Sequence, residues 1–406
     1  MRDLIERPLY IDKIRPFMHS PFIKVLTGMR RCGKSTLLKL LQKELLLEGV
    51  PPTHLLCYNF ESARHLALLH GEDLYHDVIA KAQALQGKVY IFLDEIQNVS
   101  EWERYVTALR IDCDSDIYLT GSNSRLLSGE LASLLTGRHV SFEVYPLSYT
   151  EFRTFYTHIY PDTHEPDLYQ RYKHLGGLPE IFTLREPDTY ASTVTQSVIN
   201  DILIKDIVKR YSIRNLDLFE RFFDYALSEI GTPLSATSLS KYLKNTLSLP
   251  AATIVSYLDH CCEAFLLAKV QRSHLKGKER LSSQVKYYPL DHSIAETRLN
   301  RCQDEKILEN MVFVELKRRG YQVSCGLIRD REVDFVAIKQ RQPIYLQVSL
   351  RLDDDSTRER EFGFLKQISD NYPKFVISES ASKWEDKGIQ LLNIIDFLAG
   401  DSWERL

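Results

Sequence analysis

The chain has 406 residues, 44% of them hydrophobic and 26% charged. That composition fits a globular protein of two to four domains and excludes a disordered or fibrous one. A net charge of -3 gives no global attraction to nucleic acid or to an acidic membrane surface, so such binding would need a local basic patch.

No apolar run approaches the length that spans a bilayer, and the N-terminal MRDLIERPLY carries charges where a signal peptide would be apolar, so no membrane association and a cytoplasmic location are expected. The seven cysteines form neither a CxxC nor a Cys/His zinc pattern and are expected as reduced, mostly core thiols.

Residues 24–40 read KVLTGMRRCGKSTLLKL, a β-rich run, then Gly28-x-x-x-x-Gly33-Lys34-Ser35, then an apolar-periodic helix. Strand, glycine loop and helix, in that order, is what a phosphate-binding loop requires, and the flanking elements argue against a chance surface match. The glycines let the backbone from Gly28 through Arg30, Arg31, Cys32 and Gly33 to Thr36 curl so that its N–H groups face a phosphate. The helix N-terminus adds its dipole, and Lys34 reaches the β- and γ-phosphates of ATP. Ser35 is placed to ligate Mg²⁺.

Next, VYIFLDEIQNV (89–99) is an apolar strand feeding two acids at a parallel-strand end. An apolar strand ending in Asp-Glu is common; downstream of a phosphate loop it becomes the second half of an ATPase site. Asp94 then holds the Mg²⁺ shell and Glu95 polarises the attacking water. IYLTGS (117–122) is a further strand ending in small polar residues. Strands near Lys24, Leu55, Val89, Ile117 and Val140, with helices between, predict an α/β fold with a doubly wound parallel sheet whose ligand sits where Gly28, Asp94 and Ser122 fall.

GMRRCGKST, YIFLDEIQNV, LTGSNSRLLSGE, LTGRHVSFEVYPLSYTEF and HLGGLPEIF together resemble the prokaryotic AAA+ (P-loop) ATPases that carry a C-terminal domain of unknown function. The resemblance extends from Arg7 to Phe397. It implies that Ser122 and Asn123 occupy the sensor position and that Arg138 is a candidate arginine finger, with a surface charge or local salt bridge as the equal alternative. It implies a lid at Gly176-Gly177-Leu178-Pro179 whose proline lies near the adenine; an ordinary helix-ending turn explains that segment nearly as well. It also implies a homo-oligomer, in some forms a ring.

After a helical lid or linker, including DILIKDIVKRY, come helices at 218–230, 238–243 and 248–261, then two β-rich runs flanking HLKGKERLSS. Helices followed by a β-wing suggest a winged helix. The last helix offers no Lys or Arg, so contact with DNA would fall to wing residues Arg272, Lys276, Lys278, Arg280 and Lys286, reaching phosphates without reading sequence. A protein-binding or inter-domain module fits equally well.

From Asp304 onward, a helix, strand, turn, strand, helix, strand order resembles the restriction-endonuclease-like core. Glu309 or Glu315 would be the helix acid and Asp334 the strand acid. The following strand needs Glu-x-Lys, two positions sharing a face, and presents Gln347 and Ser349 instead. This predicts a vestigial nuclease site: a nuclease-like framework without ordinary nuclease chemistry, although a remaining acid pair could still hold a metal.

The expected organisation is an ATPase domain over 1–155, a helical lid over 156–215, a winged helix over 216–292 and a nuclease-like domain over 300–406. Three functions follow: an ATPase engaging nucleic acid, a slow ATP-dependent switch binding a protein, or an ATP-coupled nuclease.

Overall fold

The computed structural model describes residues 4–124, 138–161, 165–235, 239–240, 249–274, 280–328, 331–352, 355–380, 385–400 and 403. They divide into two compact units, Met1–Tyr145 with Glu263–Phe265, and Pro146–Cys262 with Leu266–Leu406.

The first unit is built on five parallel strands, β1 Ile23–Thr27, β2 Leu55–Asn59, β3 Val89–Asp94, β4 Ser115–Gly121 and β5 His139–Glu143, in the order β2-β3-β4-β1-β5. All five expected strands form. β1 and β3 are buried at every position, which is why β3 reads as a continuous apolar run up to its terminal acid rather than an alternating one. Helices α1 Pro8–Ile14, α2 Lys34–Leu47, α3 Gly71–Gln83 and α4 Trp102–Asp112 accompany the sheet. One core packs Leu74 and Val78 of α3 and Val106 and Leu109 of α4 against Ile91, Leu93, Ile117 and Leu119. Fully burying side chains of this size contributes about 1.5–3 kcal/mol each, which fixes the strand ends that carry the polar residues.

In the second unit, α5 Tyr149–Ile159 opens on a capping box: Ser148 Oγ accepts from Glu151 N at 3.1 Å and Glu151 Oε2 accepts from Ser148 N at 2.8 Å. α6 Glu165–Leu175, α7 Pro187–Asp201, α8 Leu216–Ser228 and α9 Ala251–Glu263 follow. The helix expected at 238–243 falls largely outside the described residues. Next come β6 Leu267–His274, β7 Arg280–Pro289, α10 Ser293–Arg298, α11 Asp304–Arg318, β8 Gln322–Ile328, β9 Arg331–Lys339, β10 Gln342–Ser349, α12 Asp355–Leu365, β11 Lys374–Ser378, β12 Glu385–Asp386, β13 Ile389–Asn393 and α13 Ile394–Ala399.

These strands form one sheet, β12-β13-β11-β10-β9-β8-β6-β7. The hairpin read as a wing is the margin of this sheet, because β6 pairs in parallel with β8 through Arg272, Ser273 and His274. The β9–β10 hairpin turns on Gln340 and Arg341, both at positive φ, as a two-residue turn between twisted strands requires.

Candidate nucleotide site

Gly28 sits at φ +146°, and a Cβ there would lie 2.1 Å from the Val144 carbonyl oxygen, so only glycine fits between β1 and the chain leaving β5. Arg31 and Gly33 also take positive φ, which curls the loop into the start of α2. Lys34 Nζ donates to the Gly28 and Met29 carbonyls at 2.9 Å each, so its ammonium lies inside the loop. Thr36 follows in the first turn of α2. Arg30 pairs with the half-exposed Glu61 at 2.8 Å, a contact worth little by itself. Cys32 is buried and its thiol is pushed up by that burial, so it contributes backbone rather than a nucleophile.

The loop rests on Arg7, a residue outside the phosphate-loop motif. Its fully buried guanidinium donates to the Cys32 carbonyl at 2.9 Å and to the Tyr145 carbonyl at 3.0 Å, and it lies over the Tyr10 ring at 4.6 Å.

Asp94 and Glu95 stand at the end of β3, both buried. Asp94 Oδ1 accepts from Ser35 Oγ at 3.0 Å and from Thr120 Oγ1 at 2.6 Å, while Oδ2 accepts from Asn59 Nδ2 at 2.8 Å. Burial raises the Asp94 carboxyl above its usual range, an effect the Thr120 and Ser35 hydrogen bonds oppose. Glu95 takes the left-handed conformation, φ +56°, and Thr120 Oγ1 holds it there by accepting its backbone N–H at 2.8 Å. One Glu95 oxygen lies 3.9 Å from Lys34 Nζ; the other accepts from Gln97 Nε2, which also lies 3.4 Å from Ser122 Oγ. The Ser35 hydroxyl beside the Asp94 carboxylate is the oxygen donor set a Mg²⁺ ion takes, so the residues fit that ion.

Ser122 and Asn123 are buried, and Ser122 Oγ lies 3.4 Å from the Gln97 amide that contacts Glu95. Arg138 is exposed just before β5, its carbonyl accepting from Ile23 N at 3.0 Å. Pro179 belongs to the second unit and begins a short 3-10 turn. The two glycines before it have a packing explanation: Cβ atoms there would lie 2.3 Å from Asp291 Oδ1 at Gly176 and 2.4 Å from the Leu147 carbonyl oxygen at Gly177.

The remaining predicted residues gather elsewhere in the second unit. Arg272 and Lys286, expected to face phosphates, are instead buried: Arg272 pairs with Glu332 at 2.6 Å, and Lys286 pairs with Glu332 and with Glu309 at 3.4 Å. The reason is the joining of β6 to β8, which turns the hairpin's base into sheet interior. Lys276 and Lys278 lie outside the described residues, and Arg280 is described in its backbone alone.

Glu315 does not join Glu309; Arg318 and Arg319 hold it, the latter at 2.7 Å. Asp334 Oδ2 accepts from Val348 N at 2.8 Å, Gln347 Oε1 lies 3.4 Å from Asp334 N, and Ser349 Oγ donates to the Arg351 carbonyl at 3.1 Å. Among the described residues no cluster of three or more His, Cys, Asp or Glu is arranged to hold a metal.

Burial, and then Glu309, push the Asp334 carboxyl well above its usual range. Its folded-state value thus exceeds its unfolded one, so stability falls as pH rises from the unfolded value towards the folded one. Asp334→Asn keeps an acceptor for Val348 N and cannot ionise. It is expected to stabilise the protein by about 1 kcal/mol near pH 8 and by nothing near pH 3, measured by thermal denaturation across pH.

The parallel sheet, the curled glycine loop and the acids at its mouth give the first unit a P-loop α/β fold, and over residues 20–153 the chain matches the family model described as "AAA domain". A model described as a domain of unknown function (DUF8612) matches residues 166–305. The chain belongs to the same family as an uncharacterized protein of Haemophilus influenzae, with 32% identity over 97% of this chain and 98% of that one. An uncharacterized protein of Methanocaldococcus jannaschii is 27% identical over 92% of this chain and 85% of that one. Among solved structures, the ORC1 protein of Aeropyrum pernix in complex with DNA matches at 14% identity and a TM-score of 0.32, covering 72% of this chain and 90% of that one. No helix among the described residues is long and apolar enough to cross a membrane.

Proposed function

We propose that this protein hydrolyses ATP. The observation that carries the reading is the convergence, at one sheet end, of Lys34 inside the glycine loop, the Ser35–Asp94 pair at 3.0 Å and Glu95 at 3.9 Å from Lys34. Loop N–H groups bind the phosphates, and Lys34 exchanges the Gly28 and Met29 carbonyls for phosphate oxygens. Ser35 and Asp94 would hold Mg²⁺, which when bound neutralises charge on the phosphate oxygens. Glu95 orients the attacking water and accepts its proton, and Ser122 and Asn123 contact the γ-phosphate. Arg138, exposed at the sheet margin, is read as reaching the site of a neighbouring copy.

The burial of Arg272 and Lys286 removes two of the cations on which DNA contact through the hairpin rested. An ATP-driven change read by a protein partner is the reading this arrangement favours for the second unit. Phosphate release from ATP, with and without DNA, tests both levels. Release that Lys34→Ala abolishes and DNA leaves unchanged is expected. No nucleotide binding at millimolar ATP would overturn the first level, and strong stimulation by DNA the second.

A further inference from the structure

We propose that Gln97 positions the attacking water in this site, its amide nitrogen holding the Glu95 carboxylate and its amide oxygen holding the water. This rests on the ATPase reading above. The short 3-10 turn Ile96–Asn98 follows directly on the left-handed Glu95 and brings the Gln97 side chain back over the end of β3. There Gln97 Nε2 donates to Glu95 Oε2 and lies 3.4 Å from Ser122 Oγ. Glu95 Oε1 faces Lys34 Nζ at 3.9 Å, so the loop lysine, the base, the glutamine and the sensor serine form one connected set.

The direction of the amide is fixed by chemistry. An ionised carboxylate only accepts hydrogen bonds, so the NH₂ group must face Glu95, which leaves Oε1 on the other side. That oxygen is buried and has no hydrogen-bond partner. A buried acceptor left unpaired costs about 1–3 kcal/mol, so such a group calls for an explanation, of which a bound water is one.

Water supplies what is missing, because it has two protons to donate. One hydrogen bond to Glu95 and one to Gln97 Oε1 would fix both and aim an oxygen lone pair at the γ-phosphorus. The water oxygen then bonds to phosphorus as the bond to the bridging oxygen breaks. ADP leaves with the electron pair, one water proton passes to Glu95, and Gln97 neither gains nor loses a proton.

The test compares single-turnover phosphate release from pre-bound ATP in the parent protein, Gln97→Ala and Gln97→Met, alongside the affinity for a fluorescent ATP analogue. Methionine keeps the length and volume of the side chain and lacks the amide, so it would rescue a packing role and not a water-holding one. Both variants are expected to bind the analogue within about twofold of the parent and to release phosphate about 10- to 100-fold more slowly. Recovery of the parent rate in Gln97→Met overturns the proposal, and so does a rate at or above the parent's in both variants. Parent protein that binds ATP and never turns it over overturns the ATPase reading together with it.

Discussion

Glu95→Gln is expected to bind ATP as tightly as the parent protein and to release phosphate at least about 100-fold more slowly, the range over which a positioned general base acts. Binding survives because the substitution keeps the side chain's size and because the contact that orients this residue is a backbone one, Glu95 N to Thr120 Oγ1 at 2.8 Å. The loss is confined to turnover because an amide cannot accept the water's proton. Lys34→Ala gives the opposite pattern. Its ammonium is the buried charge at the centre of the loop, and removing it is expected to weaken nucleotide binding about 100-fold or more, close to 3 kcal/mol. Titration with a fluorescent analogue and a phosphate-release assay separate the two variants. Unimpaired turnover in Glu95→Gln would remove it from the role of base.

The contrast between those variants follows what is legible in the sequence. The glycine loop and the acid pair are contiguous in sequence because the chemistry demands neighbouring backbone N–H groups and a carboxylate at a strand end. Their partners are set by sheet register instead. Asn59 lies opposite Asp94 across the β2–β3 ladder, and Thr120 follows Leu119, which is paired with Leu93. Nothing in the local pattern around either residue announces such a contact.

Two segments that carry the family resemblance also have local packing roles. Ser148 and Glu151 are a helix cap, and Gly176 and Gly177 make room for Asp291 and for the Leu147 carbonyl. The hairpin at 267–289 looked like a basic wing because it carries six lysines and arginines in 23 residues. Its parallel pairing to β8, a strand about 50 residues further on, is non-local and invisible to periodicity.

Arg7 is the clearest case of a site residue without a motif, and Arg7→Ala is expected to be among the most damaging substitutions in the first unit. The guanidinium joins the carbonyl of Cys32, in the loop, to that of Tyr145, at the end of the unit, and Tyr10 reinforces the junction by accepting Tyr145 N at 2.9 Å. Alanine leaves both carbonyls without the donor that reached them, and each buried unpaired acceptor costs about 1–3 kcal/mol. A total near 3 kcal/mol lowers the melting temperature by roughly 6–12 °C in a unit of this size. Since one of the two carbonyls belongs to the phosphate loop, nucleotide affinity should fall with it. Arg7→Lys retains the charge and loses the fork that serves two carbonyls at once, so it should lie between the two proteins. Differential scanning calorimetry with and without ATP measures both effects. A melting temperature within a degree of the parent's in Arg7→Ala would mean that the loop is held by its glycines and by α2 alone.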